Sequence, residues 1–219
     1  MADFEWLSKA RRYRNVSTGR FVSAASSTAL RDDLVVRLQS ETSELAAKLA
    51  DGRLSVQDWE REMQRAVREI NTVQWAFGRG GRNAMAAEDR AALAETIRAQ
   101  YDFLRSFALQ IAEGELTAAQ VAARAQLYNA SSTQAYERGR ASAWGVELPH
   151  HPGDGSTPCK ANCRCTLRYK DTGSTIEVTW VLRAGESCSG CRERAASWSP
   201  LVVAKPSNGR VARLYRAVA

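Results

Sequence analysis

Proline is missing from the whole stretch between Ser26 and Ala143, so nothing there forbids long helices. No run of about 18 apolar residues occurs, which excludes a membrane-spanning helix. The opening MADFEWLSKARRYR lacks the apolar stretch of about 7–15 residues that a secretory signal needs, and the expectation is a chain kept in the cytosol with reduced thiols. Phosphate-cradling GxxxxGK[ST], GxSxG, HExxH and dinucleotide fingerprints are all absent. GRGG at 78–81 has no strand before it and reads as a helix break, not a nucleotide loop. Histidine is scarce, with only His150 and His151, and cysteine does not occur before Cys159.

The 219 residues (24.1 kDa) suffice for a sizeable core, and 44% hydrophobic with 25% charged residues is ordinary for a soluble protein. The net charge of +7 is uneven: +3 over residues 1–23, −3 over 24–159 and +7 over 160–219. Basic ends around a mildly acidic middle suit contact with nucleic acid or an acidic protein surface, and equally suit plain solubility. ARRYR near the start has the composition of a phosphate-binding arm or of a solvated one.

Four helices are expected from the spacing of apolar residues. The first runs from about Thr28 to Ala50 with Leu30, Leu34, Leu38, Leu45 and Leu49 on one stripe. A second starts at Ser55, with Asp58 answering the cap, and carries Trp59, Met63, Val67, Ile70 and Phe77. From about Ala86 to Glu113 a third presents Leu93, Ile97, Tyr101, Leu104, Phe107 and Ile111. The fourth begins at Thr117, where TAAQ forms a capping box, and carries Val121, Ala125, Tyr128 and Tyr136. ADGRLS (50–55) and AEGELT (112–117) share one plan: a glycine ends a helix, a leucine tucks between, and a hydroxyl starts the next helix. Two independent turns of this kind suffice, and short connections make the middle an antiparallel helical bundle.

After Gly145 the texture changes. HHPGDGSTP (150–158) reads as an ordered loop, and Thr166–Tyr169 and Ile176–Leu182 as a hairpin turning at DTGS. LVVA and RVARLY flank a further turn at PSNG. A β-rich unit of roughly 70 residues is too small to rely on its own core, and a staple is wanted. The chain divides into a basic arm at 1–25, a helical bundle at 26–145 and a cysteine-rich unit at 146–219.

All five cysteines, Cys159, Cys163, Cys165, Cys188 and Cys191, fall in one window of 33 residues. Residues two apart on a strand share a side, so Cys163 and Cys165 can face one centre. Cys188 and Cys191 have the gap of a metal knuckle, whose turn amides bond the thiolates. A CxC and a CxxC separated by a hairpin point to structural zinc, against the alternatives of a disulfide or unligated thiols. Five sulfurs exceed four coordination positions, and spacing does not decide which pair among Cys159, Cys163 and Cys165 completes a tetrahedron. Four thiolates around zinc would lower the tail's charge to about +5. A catalytic zinc on His150, His151 or Asp154 with a cysteine is the competing use, and loop chemistry is their plainer role.

NCRC after a ligand-like residue, a separate CxxC, and an upstream helix ending YNASSTQAYERGRASAWG resemble the minor head, or head-morphogenesis, proteins of tailed bacteriophages, a family that includes the Mu F protein. RYRNVSTGRFVS is also similar to the opening of many phage structural proteins. In the family pattern a CxxC precedes HxxCRC. Cys163, Arg164 and Cys165 match the CRC, Cys188 and Cys191 match the CxxC, and Cys159 stands for the histidine, one residue further away and with the two motifs in reversed order. The resemblance implies a divergent, non-enzymatic virion component, oligomeric in the particle, that meets capsid or portal proteins. It further implies action in head assembly or DNA packaging and ejection. A DNA contact through the basic ends, a nucleic-acid-binding zinc protein and a zinc hydrolase using His151 and Asp154 are the competing expectations.

Overall fold

The computed structural model describes residues 4–7, 12–22, 24–183, 185 and 187–204. It is mainly helical. Four long helices, α1 (Ala24–Ala50), α2 (Val56–Arg79), α3 (Ala87–Ala112) and α4 (Ala118–Ala143), run in antiparallel succession. The strands β1 (Phe4–Leu7), β2 (Arg12–Asn15) and β3 (Phe21–Val22) precede them. Beyond them lie β4 (Thr166–Asp171), β5 (Thr175–Val181), the short helix α5 (Ser189–Ser197) and β6 (Leu201–Ala204). Among the described residues no helix is long and apolar enough to cross a membrane.

The helix signals act as expected. Ser55 Oγ accepts from the Asp58 amide at 3.1 Å, and Thr117 and Gln120 cap each other reciprocally. Gly52 and Gly114 both adopt left-handed backbone (φ 68° and 73°), and the next amide in each case, Arg53 or Glu115, bonds a carbonyl five residues back. Leu54 and Leu116 pack into the core between the helices they join. The bundle core is built from Trp59, Met63, Val67, Leu104, Phe107 and Ala125, all essentially removed from water. Burying each large side chain contributes about 1.5–3 kcal/mol, and the edge-to-face pair of Trp59 and Phe107, with centroids 5.3 Å apart, adds to this.

The helix break expected at 78–81 has a second function. Gly78 lies inside α2, where it meets α4 at Gly139. A Cβ on Gly78 would sit 2.1 Å from the Tyr136 carbonyl oxygen, and one on Gly139 would sit 2.3 Å from that of Trp75. The two backbones touch there, which only glycine permits. Asp89, buried on α3, ties the same end together. It accepts from Trp75 Nε1 (3.2 Å), Arg79 Nε (3.1 Å), the Ala86 amide (2.8 Å) and Ser142 Oγ (2.5 Å).

Residues 1–25, expected as an arm, contain instead an antiparallel sheet in the order β1-β2-β3, pairing Phe4 with Asn15 and Tyr13 with Val22. The cause is a local turn that the composition conceals: the Thr18 amide donates to Asn15 Oδ1 (2.9 Å) and the Gly19 amide to the Asn15 carbonyl (2.8 Å). The expected hairpin is present as β4 and β5, in register from Thr166–Val181 to Asp171–Ile176, and LVVA adds as β6. RVARLY and the PSNG turn lie outside the described residues.

The C-terminal unit is seated on α4. Its core, including Leu167, Ile176, Val178, Trp180, Trp198 and Val203, also takes in Ala141 from the end of that helix. Trp144, just past α4, stacks on Tyr169 of β4 at 5.8 Å. Glu137, fully buried, receives Arg140 Nη1 at 3.1–3.2 Å on both oxygens and a backbone hydrogen bond from Leu167 of β4. Burial raises the pKa of this carboxyl, and the neighbouring Arg140 opposes that rise.

Candidate metal centre

Three local structures deliver the sulfurs. Cys159 opens a 3-10 turn over Lys160–Asn162 that packs against α4, and Cys163 closes it. From Cys163 the chain is extended, and burial alternates: Cys163, Cys165 and Leu167 face inward while Arg164, Thr166 and Arg168 are exposed. The two-residue period therefore puts both cysteines of the CRC on one side, as expected. Cys188 is the N-cap of α5, and its sulfur accepts from the Cys191 amide at 3.4 Å, the knuckle bond anticipated from CxxC.

These pieces meet. Cys159, Cys163 and Cys191 place their Sγ atoms within 4.8 Å of one another, a group that could hold a metal ion. Cys159 and Cys163 each lie 3.6 Å from Cys191. Cys188 falls outside that mutual group but stands 3.5 Å from Cys159. Cys165, as buried as Cys163, likewise falls outside that mutual group, and all five cysteines line one cavity of about 290 Å³ with Arg164 and Arg183 on its wall. The five thiols are free, and separations of 3.5–3.6 Å far exceed the disulfide bond of about 2.05 Å.

Electrostatics divides the thiols. Burial, foremost, pushes Cys163 up to about 12 and raises Cys191 as well. Burial also acts against ionisation of Cys188, but hydrogen bonds to its sulfur from its neighbours, led by the Cys191 backbone, outweigh it and bring the thiol down to about 7. Its place at a helix N-terminus favours the thiolate in the same sense. Packing several thiolates together without a counter-charge is unfavourable, so an arriving cation must displace protons, and its affinity rises with pH.

Two residues of the centre had no signal in the spacing of cysteines. Thr157, buried, sets its hydroxyl 3.2 Å from the Cys159 sulfur and 3.9 Å from that of Cys191, where it can donate to a thiolate. Gly190 admits the HHPGDGSTP loop against α5: a Cβ there would lie 2.8 Å from Pro158 Cδ. A hydroxyl two residues before Cys159 and a glycine between the knuckle cysteines were the available hints.

His150, His151 and Asp154 take the loop role. Asp154 accepts from the amides of His151 (2.9 Å) and Ser156 (2.8 Å) and from Ser156 Oγ (2.5 Å), with His150 Nδ1 at 3.5 Å. His151 is buried with its Nε2 unpartnered, and burial, helped by Arg138, lowers its pKa to about 4. The ligand atoms close enough to share an ion among the described residues are cysteine sulfurs alone. Neither a family model, nor a curated protein, nor a solved structure matches this chain.

Proposed function

We propose that the cysteines hold a structural zinc ion and that the protein is a non-enzymatic component of a tailed-phage head, of the minor capsid or head-morphogenesis type. The observation that carries the metal reading is the set of sulfur separations. Zinc–sulfur bonds of about 2.3 Å in a tetrahedron put the sulfurs about 3.8 Å apart, close to the 3.5, 3.6 and 3.6 Å found along Cys188–Cys159–Cys191–Cys163. All-thiolate tetrahedral sites suit zinc, and a closed sulfur shell leaves no position for a reacting water. In this reading the ion fixes a small module against α4, and the bundle supplies contacts to capsid or portal partners.

The phage assignment is supported by the CRC and CxxC pattern and by the helix ahead of it, now the α4 that seats the module. Its test is cross-linking in purified particles: cross-links from the bundle to portal or capsid protein are expected, and absence of the chain from particles rejects it. Zinc is tested separately by metal analysis of the full chain, with one ion per chain expected.

A second reading, a nucleic-acid-binding zinc protein, is favoured by the exposed bases Arg168 and Lys170 on β4 and Arg164 on the extended chain just before it. It requires DNA binding by the isolated protein that weakens steeply with salt.

A further inference from the structure

We infer that the centre is a redox-exchangeable staple: a peroxide oxidant replaces the ion by two disulfides, Cys159–Cys188 and Cys163–Cys191, which tie together the same two segments of chain. This rests on the metal reading above and concerns what the same sulfurs do when the ion is driven out.

The observation behind it is the order of the sulfur contacts. Cys188 lies 3.5 Å from Cys159, Cys159 lies 3.6 Å from Cys191, and Cys191 lies 3.6 Å from Cys163. Along such a chain of four, one arrangement alone pairs every member with a contacting neighbour: Cys188 with Cys159, and Cys191 with Cys163. Taking the middle contact, Cys159–Cys191, leaves both ends over. Each of the two bonds joins an end of the 3-10 turn to the first turn of α5, or to its cap, so each crosses between the segments that an ion would hold. The bonds span 29 and 28 positions and both close around the β4–β5 hairpin, a reach at which a cross-link strongly restricts the unfolded chain. Exposure sorts the sulfurs in the same way. Cys159 and Cys188 are partly open to solvent, which gives an oxidant its entry, whereas Cys163 and Cys191 are buried. Cys165 falls outside the mutual group and stays a thiol.

The step balances with hydrogen peroxide as the oxidant. Two thiolates lose two electrons to it; the S–S bond forms as the O–O bond breaks, and two protons from solvent complete two waters. The other pair repeats the step with a second peroxide, after which no thiolate of the four remains to bind the ion. Each pair closes by about 1.5 Å to reach the disulfide length of about 2.05 Å, inside the cavity of about 290 Å³ that these sulfurs line.

The test titrates the zinc-loaded full chain with hydrogen peroxide while a chromogenic dye reads released zinc. Free thiols are then blocked, disulfides are mapped by mass spectrometry of a non-reduced digest, and amide exchange is followed in β4–β6. Expected are one zinc released per chain for two peroxides consumed, Cys159–Cys188 and Cys163–Cys191 as the mapped bonds, and Cys165 as the blocked thiol. Protection in β4–β6 is expected to stay within about tenfold of the zinc form, and a thiol reductant with zinc restores the starting state. Pairing of Cys188 with Cys191 and of Cys159 with Cys163, a bond to Cys165, sulfinic acids in place of disulfides, or loss of protection on oxidation each overturns the inference. Wild type without zinc before peroxide is added would instead reject the metal reading itself, which keeps the two failures apart.

Discussion

The bundle and the C-terminal unit solve the same problem with different materials. In the bundle, Trp59, Met63, Leu104 and Phe107 are wholly buried, and the helices they join are capped at the ends that matter. The unit beyond residue 145 has a three-stranded sheet, one short helix and a core in which Cys163, Cys165 and Cys191 occupy places that aliphatic residues would fill elsewhere. Free thiols contribute far less than Leu or Phe in such positions unless they bind something. Apolar burial organises the first region by itself. On the zinc reading proposed above, the second depends on a ligand as well as on its own apolar core and the shelf that α4 provides.

The sharpest way to break this comparison is to remove the metal. Chelation of the zinc-loaded chain is expected to abolish amide-exchange protection in β4–β6 while α2–α4 keep theirs, since metal-binding energy is folding energy where no site preforms. Fluorescence should follow the same division: Trp144, Trp180 and Trp198 belong to the unit, whereas Trp59 and Trp75 belong to the bundle. Equal loss in both regions would show that the bundle needs the unit; no loss in either would show that the unit's core stands unaided.

A second prediction strikes the bundle alone. Replacing Gly139 by Ala would gain about 1 kcal/mol from helix propensity. It also forces a methyl to within 2.3 Å of the Trp75 carbonyl oxygen, where neither backbone can yield cheaply. Separation of α2 and α4 is expected to win, with a net loss of about 3 kcal/mol in urea unfolding. Metal content of the folded fraction should stay at the wild-type value. A neutral or stabilising result would mean that the helices are not in backbone contact.

Much of the bundle was legible because its signals are local. Capping boxes, helix-ending glycines and the apolar stripe each act within a few residues, and Trp59, Met63, Val67 and Ile70 turn out buried as their spacing requires. The alternation of the CRC and the CxxC knuckle were legible for the same reason. Non-local features were hidden. Gly78 and Gly139 are 61 positions apart and announce a contact only once both helices exist. Glu137 reads as a solvated helix residue until Leu167 and Arg140 are seen to enclose it. The N-terminal strands were missed because charge dominated the composition there, although Asn15 to Gly19 carried a turn signal.

Acid distinguishes the regions in a graded way. His151 sits in the loop that packs against α5 at Gly190, and its folded pKa of about 4 lies below the ordinary 6.5. The unfolded chain therefore binds the extra proton between those values, and stability falls as pH drops from about 6.5 to about 4. The shift corresponds to at most about 3 kcal/mol. Unfolding of wild type and His151→Asn across this range should diverge at neutral pH and converge toward pH 4. Parallel curves would show that the imidazole is not held neutral in the fold.

The smallest effects are the most discriminating, because each should register in only one region. Ser55→Ala removes the cap of α2, where Ser55 Oγ accepts from the Asp58 amide, and should cost the bundle about 1 kcal/mol whether zinc is present or chelated. Thr157→Val keeps the volume but deletes the hydroxyl beside Cys159 and Cys191, and should weaken zinc binding about tenfold. That loss lies wholly in the loaded state, since without the ion there is no thiolate cage for the hydroxyl to support. Measured as a double comparison, stability with and without chelator for each variant, Ser55→Ala should give equal penalties and Thr157→Val a penalty that vanishes on chelation. If Thr157→Val costs as much in the stripped chain, the hydroxyl serves the loop and not the sulfurs. The unit beyond α4 would then be held by packing, in the same manner as the bundle.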